Sequence, residues 1–376
     1  QPTVWNWYEE FCTSIETARA LQNRSRFPPG LVDHCLIELN TELDDPSDLI
    51  WADNDYWTKE MDSDLVSWTS ERPGDWSSPI DAYMFGCSQS GQLAESSSSF
   101  KDIPISVESV STLQPKQILC GSMCTIVLAE DGTVHACGKG EYGRLGIGSS
   151  DNQTNLVQLA SIQNVVVKQI AISKGSYGHA LAIDETGGIW SWGDGDYGKL
   201  GHGNTTAYNK PKLIESLRLR NIIAVSCGFK HSACISSDGE LYTWGMGDYG
   251  RLGHGDSNDS HNSPKKVEGL NSYTVTQVVC GSSHTLALTD DNSAWSWGDG
   301  DYGKLGHGNT TAYNKPKLIE SLRLRNIIAV SCGFKHSACI SSDGELYTWG
   351  MGDYGRLGHG DSNDSHNSPK KVEGLN

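Results

Sequence analysis

From residue 82 onward, apolar positions come in short alternating stretches separated by glycine-rich breaks, the signature of short strands rather than of helices. One unit shows the order. A Pro-containing segment (Pro211 to Ile214) leads to an apolar stretch carrying Ile222, Val225 and Cys227, which ends at Gly228-Phe229-Lys230-His231. A short strand, Ala233 to Ser236, meets an Asp-Gly turn at Asp238-Gly239, and the strand Leu241 to Trp244 then opens a glycine-rich turn. Asp-Gly between two apolar runs is a strong hairpin signal. Six segments share the strand, the glycine and the turn that follows it, anchored at Gly86, Gly138, Gly193, Gly245, Gly298 and Gly350, with spacings of 52, 55, 52, 53 and 52 residues. So regular a period predicts one supersecondary unit repeated.

Four short antiparallel strands in about 52 residues is the content of one β-propeller blade. The predicted architecture is therefore all-β, a propeller over residues 79–376. Its repeat cores fall at 82–130, 131–186, 187–238, 239–290, 291–343 and, in part, 344–376. That makes about five complete blades and a partial sixth, in a ring expected to be incomplete. Residues 190–271 and 295–376 are identical at every position, an offset of 105 residues or two repeats. Residues 1–78 read differently, as an acidic and mainly helical lead-in. Val4, Tyr8, Phe11, Cys12, Ile15 and Ala18 recur at helical spacing, and further helices are expected over 31–43 and 58–68, the last with Thr58 as its N-cap.

Charge sharpens this division: residues 1–80 carry 16 acidic against 5 basic side chains, a net of −11 out of −17 for the 376-residue chain. Neither region has the basic surface that neutralises phosphates, so nucleic acid and anionic membranes are not expected partners. No apolar run approaches the roughly 18 residues of a spanning helix. The 11 cysteines form no CxxC pair, and Cys120, Cys227, Cys280 and Cys332 each stand just before a glycine, a packing position. A reducing cytoplasmic or nuclear location is expected, in which the sequons at Asn152, Asn204, Asn258, Asn309 and Asn363 are chance matches. Because the chain opens on Gln1, its true start is expected to lie upstream.

The apparent motifs of chemistry dissolve into the repeat. Gly193-x-Gly195-x-x-Gly198 and Gly138-x-Gly140-x-x-Gly143 are literally GxGxxG, but they run into a polar loop instead of opening a helix that could hold a pyrophosphate, so tight-turn geometry with positive φ is expected. His179, His231, His284 and His336 fall once per repeat and should be spread apart, not converged on a metal; Cys124 occupies the same place in the first repeat. Asp256-x-Asn258-x-Ser260 begins like a calcium loop, yet His261 stands where the loop needs glycine. No nucleophile elbow is present. No catalytic, metal or cofactor-binding residue and no cofactor is therefore expected, and the partner-binding face is not readable from the sequence.

The segments WSWGDGDYGKLGHG and YTWGMGDYGRLGHGDS, iterated with proline, Gly-x-x-His and Asp-Gly, resemble the repeat of the regulator of chromosome condensation family, which implies a propeller. Together with the lead-in at 52–77, they are most similar to the internal propellers of the giant HERC-type HECT ubiquitin ligases. That resemblance implies a non-catalytic module recruiting substrates or regulators within a ligase of the ubiquitin pathway. Such ligases carry their catalytic cysteine in a separate HECT domain, which nothing in this chain resembles. The founding member of the family implies an alternative, guanine-nucleotide exchange on a small GTPase, but the even repeat spacing leaves little room for the wedge such a protein uses. The plant propeller photoreceptor's Gly-Trp-Arg-His-Thr is matched only by Gly228-Phe229-Lys230-His231-Ser232, without its tryptophan.

Overall fold

The computed structural model describes residues 50–52, 82–95, 101–173, 175–176, 178–360 and 364–375. The helices expected at residues 4–18, 31–43 and 58–68 lie outside this set. The described chain divides into two compact units.

The first unit holds the described residues of 43–195 and 206–218. A three-stranded sheet pairs β1 (Ile50–Ala52), β2 (Ala82–Gly86) and β3 (Lys101–Ser106) in that order. Two four-stranded sheets follow: β4 (Pro115–Gly121), β5 (Cys124–Ala129), β6 (Val134–Gly138) and β7 (Gln153–Gln158), then β8 (Val167–Ile172), β9 (His179–Asp184), β10 (Ile189–Gly193) and β11 (Tyr208–Leu213). The second unit holds the described residues of 196–205 and 219–376, with three further four-stranded sheets. These are β12 (Ile222–Cys227), β13 (His231–Ser236), β14 (Leu241–Gly245) and β15 (His261–Lys266); β16 (Val275–Cys280), β17 (His284–Thr289), β18 (Ala294–Gly298) and β19 (Tyr313–Leu318); and β20 (Ile327–Cys332), β21 (His336–Ser341), β22 (Leu346–Gly350) and β23 (His366–Lys371). All pairings are antiparallel between sequence neighbours, as hairpin-connected blades require.

The chain is thus all-β and built of repeated blades. The sheets are phased half a repeat away from the sequence units. Each sequence core contributes its first two strands to one sheet and its last two to the next, so residues 344–376 complete a four-stranded sheet and the three-stranded sheet stands before the first repeat's β4.

The second strand of every four-stranded sheet is buried along its whole length. This is why His231-Ser-Ala-Cys-Ile-Ser236 has no polar alternation of the kind a half-exposed strand shows. Innermost strands are cross-linked by side chains standing in for a ladder. Gln277 accepts from the Val330 amide at 2.9 Å and donates to its carbonyl at 3.1 Å, while Gln117 accepts from the Ile170 amide at 3.0 Å. Where the equivalent residue is Ala224, Ser226 accepts from the Cys280 amide at 2.9 Å instead.

A second seam joins each glycine-rich turn to the sheet after it. Trp192, Trp244, Trp297 and Trp349 are fully buried, and their indole N–H groups donate to the carbonyls of Arg144, Lys199, Arg251 and Lys304 at 2.8–3.0 Å. In the second unit the same carbonyls accept a second bond, from Ser232, Thr285 and Ser337. The turns' tightness comes from two causes. Gly193 and Gly198 do have positive φ, at 100° and 75°, as expected. Gly195 does not: it is glycine because a Cβ would lie 2.2 Å from the Thr206 carbonyl oxygen, a close approach that no side chain permits.

Candidate interaction face

Five of the six glycine-rich turns, all but the one after Gly86, contain Asp/Glu-Tyr-Gly, folded as a single 3-10 turn. Its tyrosine is in the left-handed region every time: Tyr142 (φ 60°), Tyr197 (59°), Tyr249 (61°), Tyr302 (59°) and Tyr354 (60°). Left-handed backbone is uncommon for an aromatic residue and costs on the order of 1 kcal/mol. All five rings nonetheless stand in solvent, from 40% exposed at Tyr197 to 70% at Tyr354.

Beneath them the turn is rigid. The cation two residues on is buried at Arg144, Lys199, Arg251 and Lys304. Arg144 donates to the carbonyls of Ser122 (2.9 Å) and Ser176 (2.6 Å), Arg251 to those of Asp248 and Ser282 (both 3.0 Å). Lys304 Nζ instead meets the Asp299 carboxylate at 2.6 Å; burial lowers the lysine's pKa and Asp299 opposes that shift. These cations anchor the turn, and the tyrosine is displayed on it.

In the second unit the tyrosines sit beside other aromatic and basic groups. Lys230 Nζ lies 5.0 Å from the Tyr197 ring centroid and 5.4 Å from that of Phe229. Lys335 repeats this with Tyr302 at 5.4 Å and Phe334 at 5.8 Å. The Arg251 and Arg356 guanidinium groups each lie 5.9 Å from Tyr249 and Tyr354. Exposed tyrosine and arginine are enriched at protein interfaces, and the cation–π pairs hold these side chains in place.

The residues singled out in the sequence fall elsewhere. His231 Nε2 bonds Thr285 Oγ1, and His284 Nε2 bonds Ser337 Oγ, both at 3.0 Å, each joining one sheet to the next. Both rings are fully buried, and burial first, then the nearby Arg251 for His231 and Lys304 for His284, holds their pKa well below the ordinary value. They are neutral seam residues. His179 and His336 are buried at the same strand position, where the first repeat has Cys124, also buried. Asp256 turns its carboxylate toward His261 Nε2 (3.4 Å) and Lys265 Nζ (3.8 Å). Among the described residues no His, Cys, Asp or Glu group is placed to hold a metal. The loops 204–210 and 309–315 are largely exposed. Sequence reasoning missed the tyrosines: it took their turns as glycine geometry alone, although Tyr between Asp/Glu and Gly in five successive repeats was a visible signal.

An aromatic and cationic face carried on rigid blades defines a binding propeller, and comparison with known proteins gives its family. The RCC1-like domain matches residues 77–286, and the regulator of chromosome condensation (RCC1) repeat matches 291–340 and 343–376. The chain belongs to this family of RCC1-like repeat domains. It is 39% identical, over 99% of its length, to the human E3 ubiquitin-protein ligase HERC2, of which it covers only 8%. It is 32% identical to the Arabidopsis thaliana ultraviolet-B receptor UVR8, over 79% of this chain and 67% of that protein. Among solved structures, Prp20p from Saccharomyces cerevisiae shares the fold, with a TM-score of 0.68 at 21% identity over 78% of this chain and 73% of that one.

Proposed function

We propose that this chain is a non-catalytic protein-binding propeller that docks partners on the Asp/Glu-Tyr-Gly turns of its second unit, and that it recruits substrates or regulators for a HECT-type ubiquitin ligase. The observation that carries the docking reading is the tyrosine itself: a strained, exposed aromatic residue displayed four times in the second unit, at Tyr197, Tyr249, Tyr302 and Tyr354, the first three on turns locked by a buried cation and a tryptophan. Strain maintained by surrounding structure is a mark of functional positions. Similarity to HERC2 across nearly the whole chain supports the ligase context. The nine described cysteines are all buried thiols, which supports a reducing compartment, the cytoplasm or nucleus.

The test compares affinity capture by the native chain and by a Tyr197→Ser/Tyr249→Ser/Tyr302→Ser variant with matched thermal stability. Loss of the captured proteins with the variant is the expected result. Undiminished capture would remove the tyrosine face from consideration. Accelerated nucleotide release from a captured small GTPase would replace recruitment by exchange.

A further inference from the structure

Tyr197, Lys230, Phe229, Phe334, Lys335 and Tyr302 form an unbroken chain of contacts, with centroid or cation-to-centroid distances of 5.0, 5.4, 5.6, 5.8 and 5.4 Å in that order. Its two halves are the same three residues from the two identical segments, and they join where the Phe229 and Phe334 rings meet edge to face at 67°. These phenylalanines come from sheets that are not neighbours in sequence; the sheet of β16–β19 stands between them. They can touch because the intervening sheet carries Ser282-Ser283 at the matching position. The same turn also ties both phenylalanines down: the Phe229 amide donates to the Gly281 carbonyl (3.4 Å) and Ser282 Oγ donates to the Phe334 carbonyl. A third large ring there would have driven the two apart.

We infer that this strip is a single docking site, assembled from both identical segments, for one polypeptide loop or tail that presents two carboxylates on either side of an apolar side chain. The inference deepens the docking-face reading and rests on it. Charge decides the occupant. The centre is apolar, at the phenylalanine pair, and is flanked by two ammonium groups held over rings; the exposed Asp196 and Asp301 stand next to the outer tyrosines. A short segment with acidic residues around one hydrophobic side chain matches this centre. A basic segment meets like charge at Lys230 and Lys335, and a long polyanion such as nucleic acid runs into the aspartates at both ends. Exact sequence identity alone would argue for two independent sites; the meeting of the phenylalanines makes them one.

The experiment is calorimetric titration of the full chain with three probes: a peptide centred on Glu-Leu-Glu, its Lys-Leu-Lys counterpart, and a single-stranded 20-nucleotide DNA. The expected result is binding of the Glu-Leu-Glu peptide alone, at one per chain. Lys230→Glu and Lys335→Glu should each weaken it at least tenfold, with unchanged thermal stability and no fractional stoichiometry. Two peptides per chain, or a Lys230→Glu variant with half the sites at undiminished affinity, would show independent copies and overturn the inference. So would binding of the basic peptide or of DNA in place of the acidic one. If no probe binds while protein capture still depends on Tyr249, the acidic-segment inference fails alone; if capture ignores the tyrosines, the wider reading fails with it.

Discussion

The exact repetition of 190–271 at 295–376 supplies an internal control for the seams between blades. Gly253 and Gly358 are the same residue in the same local sequence, with φ of 79° and 72°. They differ in what lies beyond them. A Cβ on Gly253 would come within 2.8 Å of Trp297 Nε1 and 3.1 Å of its Cε2, whereas one on Gly358 would meet only Val372 Cγ1, at 3.3 Å. Alanine at either site carries the left-handed backbone penalty, on the order of 1 kcal/mol. At Gly253 it must also displace a fully buried indole whose N–H donates to the Arg251 carbonyl at 2.9 Å. Overpacking and loss of that buried bond add roughly 1–3 kcal/mol. Gly253→Ala should therefore cost about 2–4 kcal/mol and Gly358→Ala about 1 kcal/mol. Urea denaturation followed by tryptophan fluorescence measures both, with the shift in midpoint as readout. Equal losses would refute the argument that the turn-to-tryptophan seam carries the difference.

Three further outcomes follow from the packing. His231 and His284 stay neutral in the fold, with pKa well below the ordinary 6.5, and His254 and His307 are held at about 4, in all four chiefly by burial. Below about pH 6.5 the unfolded chain takes up protons that the native one refuses, so stability present above that value should fall with pH, by up to about 1.4 kcal/mol per unit for each histidine. A melting temperature unchanged between pH 8 and pH 5 would contradict this, and His231→Gln should flatten the fall. Gln277→Ala leaves the Val330 amide and carbonyl without their cross-strand partner, at a cost of about 1–3 kcal/mol by denaturation. Lys304→Met strands the mostly buried Asp299 carboxylate and should destabilise by about 2–4 kcal/mol, with partial recovery when Asp299→Asn is added; no recovery would show that the ion pair is not what the substitution breaks.

The sequence made the strands and hairpins legible because each sits between fixed punctuation: Asp238-Gly239 on one side, Gly228 and Gly245 on the other. Blade phasing was not legible. The link from β15 through Val267 to β16, residues 267–274, is shorter than the link from β14 to β15 inside one sheet, residues 246–260, so neither length nor periodicity says which of them crosses to a new sheet. The site was harder still. In the Asp-Tyr-Gly turn the glycine announces left-handed backbone, but nothing in sequence statistics announces it for Tyr249 beside it. The Phe229–Phe334 contact spans 105 positions and depends on the smallness of Ser282 and Ser283 in the sheet between, a condition set by a third repeat.

The turn-to-sheet seam also bears on how such a chain changes length over generations. In the second unit every junction uses one set of groups: an indole N–H and a hydroxyl that donate to a carbonyl of the turn, and a strand carbonyl, of Asn262, Asn314 or Asn367, that accepts from the amide of Gly203, Gly255 or Gly308 at 2.8 Å. Any turn therefore fits the sheet behind any other. Recombination between equivalent points of the two copies, removing or adding 105 residues, leaves every new junction identical to one already present. In packing terms, pairs of blades are interchangeable cassettes, and exchanging one for the other needs no repair of its neighbours.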